Sequence, residues 1–134
     1  VDFAKQPLEN LKKNALSFDL SINCVNKDIF DLKAEYPNYF DMIYEYTCFC
    51  AIDPDRREEY FDVVCSTLKK NGLLFAIFIP LDKEPSDDGP PFGVNIDSIL
   101  SMTNGKFEVI ENTFSDLSIE PRFNREKLVI LRKK

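Results

Sequence analysis

Near the start of the chain, apolar residues recur at helical spacing, at Leu8, Leu11 and Ala15. Pro7 falls where a first helical turn accepts proline, and Lys12 and Lys13 lie toward the end, so residues 5–17 are predicted as a helix. Ser21–Val25 is a short strand candidate, broken by Asn26-Lys27-Asp28. Ile29-Phe30-Asp31-Leu32 leads into a polar loop through Pro37. Phe40–Tyr44 reads as the next strand. Asp53 is a good N-cap residue and Pro54 opens a helix whose apolar face carries Tyr60, Phe61, Val64, Cys65 and Leu68. Asn71-Gly72 is expected to stop it. Leu73–Pro80 is a continuous apolar run, which suggests a strand covered on both faces, as in parallel sheets. A loop from Asp82 to Gly93, a short helix over Ile96–Met102, and strands over Phe107–Phe114 and Lys127–Arg132 complete the pattern.

Alternation through the middle of that order predicts an α/β sheet with crossover helices. No helix separates the last two strands, so they are expected to pair antiparallel at one edge. The 134 residues amount to one domain at most, and 44% of them are hydrophobic, enough for a core. The net charge of −6 and a pI of about 4.7 make nucleic acid an unexpected partner. The basic tail Arg132-Lys133-Lys134 is too short to change that. No apolar run approaches the ~18 residues that span a bilayer, so no membrane role is expected.

The four cysteines, Cys24, Cys48, Cys50 and Cys65, lack zinc spacing, and the chain has no histidine. No metal site is expected, and the thiols read as packing residues of a cytoplasmic protein. Without histidine, the usual Ser-His-Asp and Cys-His triads are excluded.

Ligands of open α/β sheets bind beyond the carboxyl ends of the strands. The positions there are Asp2, Asp28, Glu45-Tyr46-Thr47 and the loop after Leu81. Asp2, Asp28 and Glu45 are carboxylates. Each could be a solvated or capping acid; together they suit a cationic or hydroxyl-rich ligand, because carboxylates accept hydrogen bonds from ribose hydroxyls or an exocyclic amine.

Phe40-Asp41-Met42-Ile43-Tyr44-Glu45, with Phe49-Cys50-Ala51-Ile52-Asp53-Pro54 and Arg57, resembles the central signature of the thiopurine S-methyltransferase family, in particular its halide/thiol branch. Lys69-Lys70-Asn71-Gly72-Leu73-Leu74 is similar to the turn before strand five of many methyltransferases. Asp88-Gly89-Pro90-Pro91-Phe92 resembles the family's Gly-Pro-Pro loop. The likeness runs over essentially the whole chain. It implies a class I methyltransferase, a Rossmann-like three-layer sandwich of strand order 3-2-1-4-5-7-6 with an antiparallel strand seven. S-adenosyl-L-methionine is the implied cofactor and a small molecule the implied methyl acceptor: a thiol, a thiopurine-like sulfur or a halide.

In that scheme Asp2 ends strand two and binds the cofactor's ribose. Asp28 faces the adenine amino group, Ile29 packs near the ring, and Glu45 stands at the wall between cofactor and acceptor. Tyr46, Thr47 and Phe49 line the methyl-transfer pocket or, alternatively, fill the core beside the next helix. Arg57 approaches the acceptor or simply pairs with Glu58 and Glu59. Pro90, Pro91 and Phe92 form a rigid substrate-covering loop, and Arg122 and Arg125 bind an anionic acceptor or face solvent. Strand one and its glycine-rich turn have no counterpart among these residues. Residues 1–134 are therefore expected to be the C-terminal portion of one such domain, with two half-sheets that each expose an unpaired edge. The competing expectation is a non-catalytic α/β remnant or interaction domain that has lost cofactor binding.

Overall fold

The computed structural model describes all residues, 1–134. Its centre is the apolar run, which forms β2 (Leu68–Phe78). Period-2 alternation turns Leu74, Ala76 and Phe78 to one side, where they are fully buried. Leu73, Phe75 and Ile77 on the other side stay half-buried, so the strand is sealed on one face rather than two. The sealed face packs under α3 (Arg57–Thr67) and α4 (Ile96–Thr103). Tyr60, Phe61 and Val64 of α3 and Ile99 of α4 meet Leu74, Phe78, Val129 and Leu131 in one core cluster.

β1 (Phe40–Tyr46) runs parallel to β2. β4 (Lys127–Lys133) runs antiparallel to β2, and β3 (Phe107–Thr113) antiparallel to β4. The order β1-β2-β4-β3 is the 4-5-7-6 half of the implied sheet. β3 and β4 pair antiparallel at the far edge as the sequence predicts, across the connection 114–126.

α3 stops at Thr67, and Asn71-Gly72 lies inside β2 instead of ending the helix. Asn71 takes a left-handed backbone (φ 64°), and the β1–β2 register slips between Phe40 and Met42. An Asn-Gly pair that tolerates positive φ thus makes a bulge, which the sequence alone does not distinguish from a helix stop.

The N-terminal part is held differently. α1 (Lys5–Ser17) forms over the predicted residues and buries Leu8 and Ala15. The strand expected over 21–25 does not form. In its place is a single parallel bridge between Asp2 and Asn26, closed by Asp2 N–H to Val25 O and Lys27 N–H to Asp2 O. A ladder needs a neighbour along its length, and only Asp2 lies alongside this segment. Ile29–Asp31 makes a 3-10 turn capped by Asp28, followed by the one-turn helix α2 (Leu32–Glu35). Between this part and the outer edge of β1 lies an apolar cleft of about 270 Å³, lined by Val1, Ile29, Leu32, Met42 and Tyr44 among others. No helix is long and apolar enough to cross a membrane.

Candidate functional site

The carboxyl ends of β1 and β2 and the bridge Asp2–Asn26 open onto two cavities. The first, of about 530 Å³, is built from both parts of the chain: Val1–Phe3 and Lys27–Phe30 on one side, Tyr46–Cys48, Ala51–Asp53 and Arg56 on the other. Ligand pockets fall roughly between 300 and 1,000 Å³, so it is of a size for a nucleoside derivative. The predicted residues Asp2, Asp28, Ile29, Tyr46 and Thr47 all line it.

Each of the two aspartates is anchored by one oxygen. Asp2 Oδ1 accepts from Ala4 N–H at 2.8 Å, and Asp28 Oδ1 from Phe30 N–H at 3.0 Å. The capping reading of these acids and the binding reading are therefore compatible. One oxygen fixes the carboxylate, and the other can accept from hydroxyl or amino donors. Ile29, Phe30 and Ile52 supply apolar wall, and the Arg56 guanidinium lies 3.6 Å over the Phe30 ring. A paired-acid rim around an apolar slot fits the polar ribose and flat adenine of the implied cofactor.

The second cavity, of about 520 Å³, is lined by Thr47, Cys50, Ile79, Pro80, Asp82, Lys83, Pro91 and Arg125. Thr47 belongs to both. Its backbone is left-handed (φ 70°), a conformation that costs a β-branched residue energy and that the surrounding turn must enforce. Cys50 Sγ–H donates to Thr47 O at 3.4 Å, tying the turn back on itself.

The turn's other support is Glu45, and here the structure corrects the sequence reading. Its side chain is 3% exposed, lines the apolar cleft beside β1 and is absent from the lining of the first cavity. Oε1 accepts from Cys48 N–H (3.0 Å) and Phe49 N–H (2.9 Å), and Oε2 from Tyr60 O–H (3.0 Å). These three donors occupy the carboxylate, so Glu45 shapes the pocket wall from behind rather than touching a ligand. Burial raises its pKa against the opposing pull of those hydrogen bonds. The same burial, then the Glu45 charge, pushes the Tyr60 phenol well up.

Phe49 is corrected in the same way. It is 1% exposed and clusters with Tyr60, Phe61 and Phe78 at ring distances of 5.1–5.5 Å. The alternative core reading is the right one, because an inward turn after a strand puts its first large aromatic under the helix.

Arg57 is buried behind the covering loop and lines neither cavity. It does not pair with Glu58 or Glu59. Its Nη1–H donates to Gly93 O at 2.9 Å and its guanidinium lies 4.6 Å over Phe49. Nε and Nη2 are buried without partners, and desolvation lowers its pKa. Phe92 N–H donates to Cys50 O at 2.7 Å, docking the loop on the turn. Gly93 sits so close that a Cβ there would meet Lys83 O at 2.0 Å, so this crossing demands glycine.

Of the three predicted loop residues only Pro91 lines the second cavity; Pro90 is exposed, and Phe92 half-buried. Arg122 lines neither cavity: it lies 5.1 Å over the Tyr46 ring and 3.7 Å from Glu126. Arg125 does line the second cavity, ion-paired to Asp82 at 2.7 Å. The sequence reading missed Cys48, Asp53 and Arg56 in the first cavity; for the second it named the loop after Leu81 without singling out Asp82 and Lys83. Position after a strand end was the available signal for Asp82 and Lys83.

Both thiols at the junction are held protonated. Cys48 is exposed and Cys50 buried; partial desolvation in the turn, then the Glu45 charge, raises Cys48 to about 11, and burial, then the same charge, raises Cys50. Neither is a thiolate at neutral pH, so neither competes as a nucleophile beside the site.

Comparison with known proteins agrees with this layout. The fold matches an S-adenosylmethionine-dependent methyltransferase from Clostridium acetobutylicum (TM-score 0.75, 14% identity, 98% of this chain and 72% of that one). It also matches the N-methyltransferase NodS from Bradyrhizobium japonicum (TM-score 0.73, 13% identity, 98% and 70%). The fold is thus that of class I methyltransferases. In sequence, the chain is 33% identical over 92 residues to a probable thiol methyltransferase 2 of Arabidopsis thaliana, covering 66% of this chain and 39% of that protein. It is 31% identical over 109 residues to thiocyanate methyltransferase 1 of Brassica oleracea, covering 78% and 45%. The chain therefore spans less than half the length of these curated relatives. The sequence model of the thiopurine S-methyltransferase (TPMT) family matches residues 3–134, and the chain belongs to that family.

Proposed function

We propose that the protein carrying this chain transfers the methyl group of S-adenosyl-L-methionine to a small soft nucleophile: a thiol, a thiopurine-like sulfur or a halide. The observation that carries this reading is that two cavities, one acid-rimmed and one not, meet at the single residue Thr47. A displacement reaction needs donor and acceptor side by side, aligned, with dry walls between them and water.

The bound cofactor supplies an electrophilic methyl group on a sulfonium. Asp2 and Asp28 hold its ribose hydroxyls and adenine amine, and Ile29 packs against the ring. Tyr46 and Thr47 orient the two ligands toward each other. The loop through Pro91 excludes water from the acceptor side, and Arg57 pins it through Gly93. The Nε and Nη2 of Arg57 stay buried behind the loop without partners. The chain has no histidine base, and none is needed for an acceptor that is already anionic, a thiolate or a halide.

Residues 1–134 are the C-terminal portion of one such domain in this reading. The edge strand β1, its exposed Met42 and Tyr44 and the apolar cleft beside it support a further strand packing there. An intact-mass measurement of the isolated protein checks this: a folded monomer weighing only these residues rejects it.

The functional test is thermal. S-adenosylhomocysteine at 100 times its Kd should stabilise the full-length protein by about 2.7 kcal/mol, with a clear rise in Tm. No shift at millimolar ligand would assign the chain to the competing class, a non-catalytic remnant.

A further inference from the structure

The second cavity lies on an acidic chain, yet its lining carries two cations and one carboxylate. Asp82 and Arg125 neutralise each other at 2.7 Å. Lys83 has no carboxylate partner. Its ammonium donates instead to two backbone carbonyls of the covering loop, Asp88 O and, at 2.8 Å, Pro91 O. Carbonyl oxygens fix an ammonium without cancelling its charge, and three N–H donors leave one beyond those two. Gly93 crosses against Lys83 O, so the backbone on either side of this side chain is held too. The result is a half-buried, positioned, uncompensated positive charge on the wall of the cavity that Thr47 joins to the first.

We propose that Lys83 is a specificity-determining residue of this cavity: its ammonium selects an anionic acceptor over a neutral one of the same size. The inference rests on the methyltransferase reading above and adds to it the residue that sorts acceptors by charge. A cleft with low-dielectric walls focuses the field of a single charge, so one lysine outweighs the protein's overall negative charge at short range. The charge acts on binding and orientation, not on the methyl-transfer step itself. The anion's lone pair would form the bond to the methyl carbon while the methyl–sulfur bond broke, its electron pair neutralising the sulfonium.

The test uses the full-length protein with Lys83→Gln, which keeps an N–H donor toward the loop carbonyls but removes the charge, and Lys83→Arg, which restores the charge. Three readouts are taken: the Kd of S-adenosylhomocysteine, the KM for thiocyanate, and the KM for a neutral acceptor, a thiol measured well below its pKa or a thioether. Loss of one charge-assisted contact predicts a rise of about tenfold or more in KM for thiocyanate with Lys83→Gln. The neutral acceptor and S-adenosylhomocysteine should be unchanged, and Lys83→Arg should recover most of the loss. Equal KM changes for both acceptors overturn the proposal, because Lys83 then only holds the loop. Unchanged KM for thiocyanate overturns it as well. If S-adenosylhomocysteine does not bind the parent protein, the methyltransferase reading fails first. Calorimetric titration with thiocyanate alone then decides Lys83 separately, since equal affinity in parent and Lys83→Gln removes any anion-selecting role.

Discussion

Residues 1–36 and residues 40–134 are built to different standards. The second region has a four-stranded sheet, a cluster of 15 buried residues, and side chains such as Phe61, Leu74 and Leu131 with no exposed surface. The first has a helix with two buried residues, one bridge, and large apolar side chains in solvent at Leu11, Leu16, Phe18 and Leu20. The two cavities divide along the same line. The second cavity is made from the second region alone, whereas the acid-rimmed cavity borrows Asp2 and Asp28 from the first. Cofactor affinity should therefore depend on how the weaker region is held, and the acceptor wall should not.

The largest effect expected is Leu74→Ala, about 4 kcal/mol in a urea melt, against about 2 kcal/mol for Leu8→Ala. Amides of β2 and β4 should exchange hydrogen only through global unfolding, and those of α1 through local opening. Equal costs and equal protection would show one cooperative unit and dissolve the contrast. Next, Glu45→Ala should cost about 3 kcal/mol, since it strands two buried N–H groups and the Tyr60 hydroxyl.

Glu45→Gln isolates the charge. Burial raises the folded-state pKa above the unfolded one. The protonated carboxyl's stabilisation is therefore present below the unfolded value and lost as pH rises through the folded value. The Tm of Glu45→Gln should gain on the parent from a pH of about 4 toward neutrality. A gap independent of pH would mean that the carboxylate is not penalised by burial. Asp28→Ala should weaken S-adenosylhomocysteine binding about tenfold while the acceptor-side cavity keeps its affinity for thiocyanate. Smallest of all, Lys106→Ala removes the exposed pair with Asp62 and should leave the melt within error.

How much of this was legible varied with the kind of residue. Tyr46 and Thr47 stand at the end of β1, and Asp2, Asp28 and Ile29 at or just after the Asp2–Asn26 bridge; all five line one cavity. Glu45, the penultimate residue of β1, and Phe49, in the turn after it, face inward. The sequence puts a carboxylate and an aromatic at the turn but cannot say on which side of it they fall, because that depends on where Tyr60 and Phe78 stand. Asn71-Gly72 reads equally as stop or bulge until β1 lies alongside.

What the sequence determined by itself is what short-range pattern can encode: α1, the strand cores, the antiparallel far edge, the Gly-Pro-Pro loop and the kinship that the motifs carry. Burial, by contrast, is a property of the assembled molecule. Only the tertiary structure decided that Glu45 closes a turn, that Arg57 ends behind the loop with two unpaired donors, and that the Asp82–Arg125 pair leaves Lys83 as the uncompensated charge. Arg57 and Asp82 depend on Gly93 and Arg125, 36 and 43 residues away, and Glu45 on Tyr60, 15 residues on; no local pattern contains those distances.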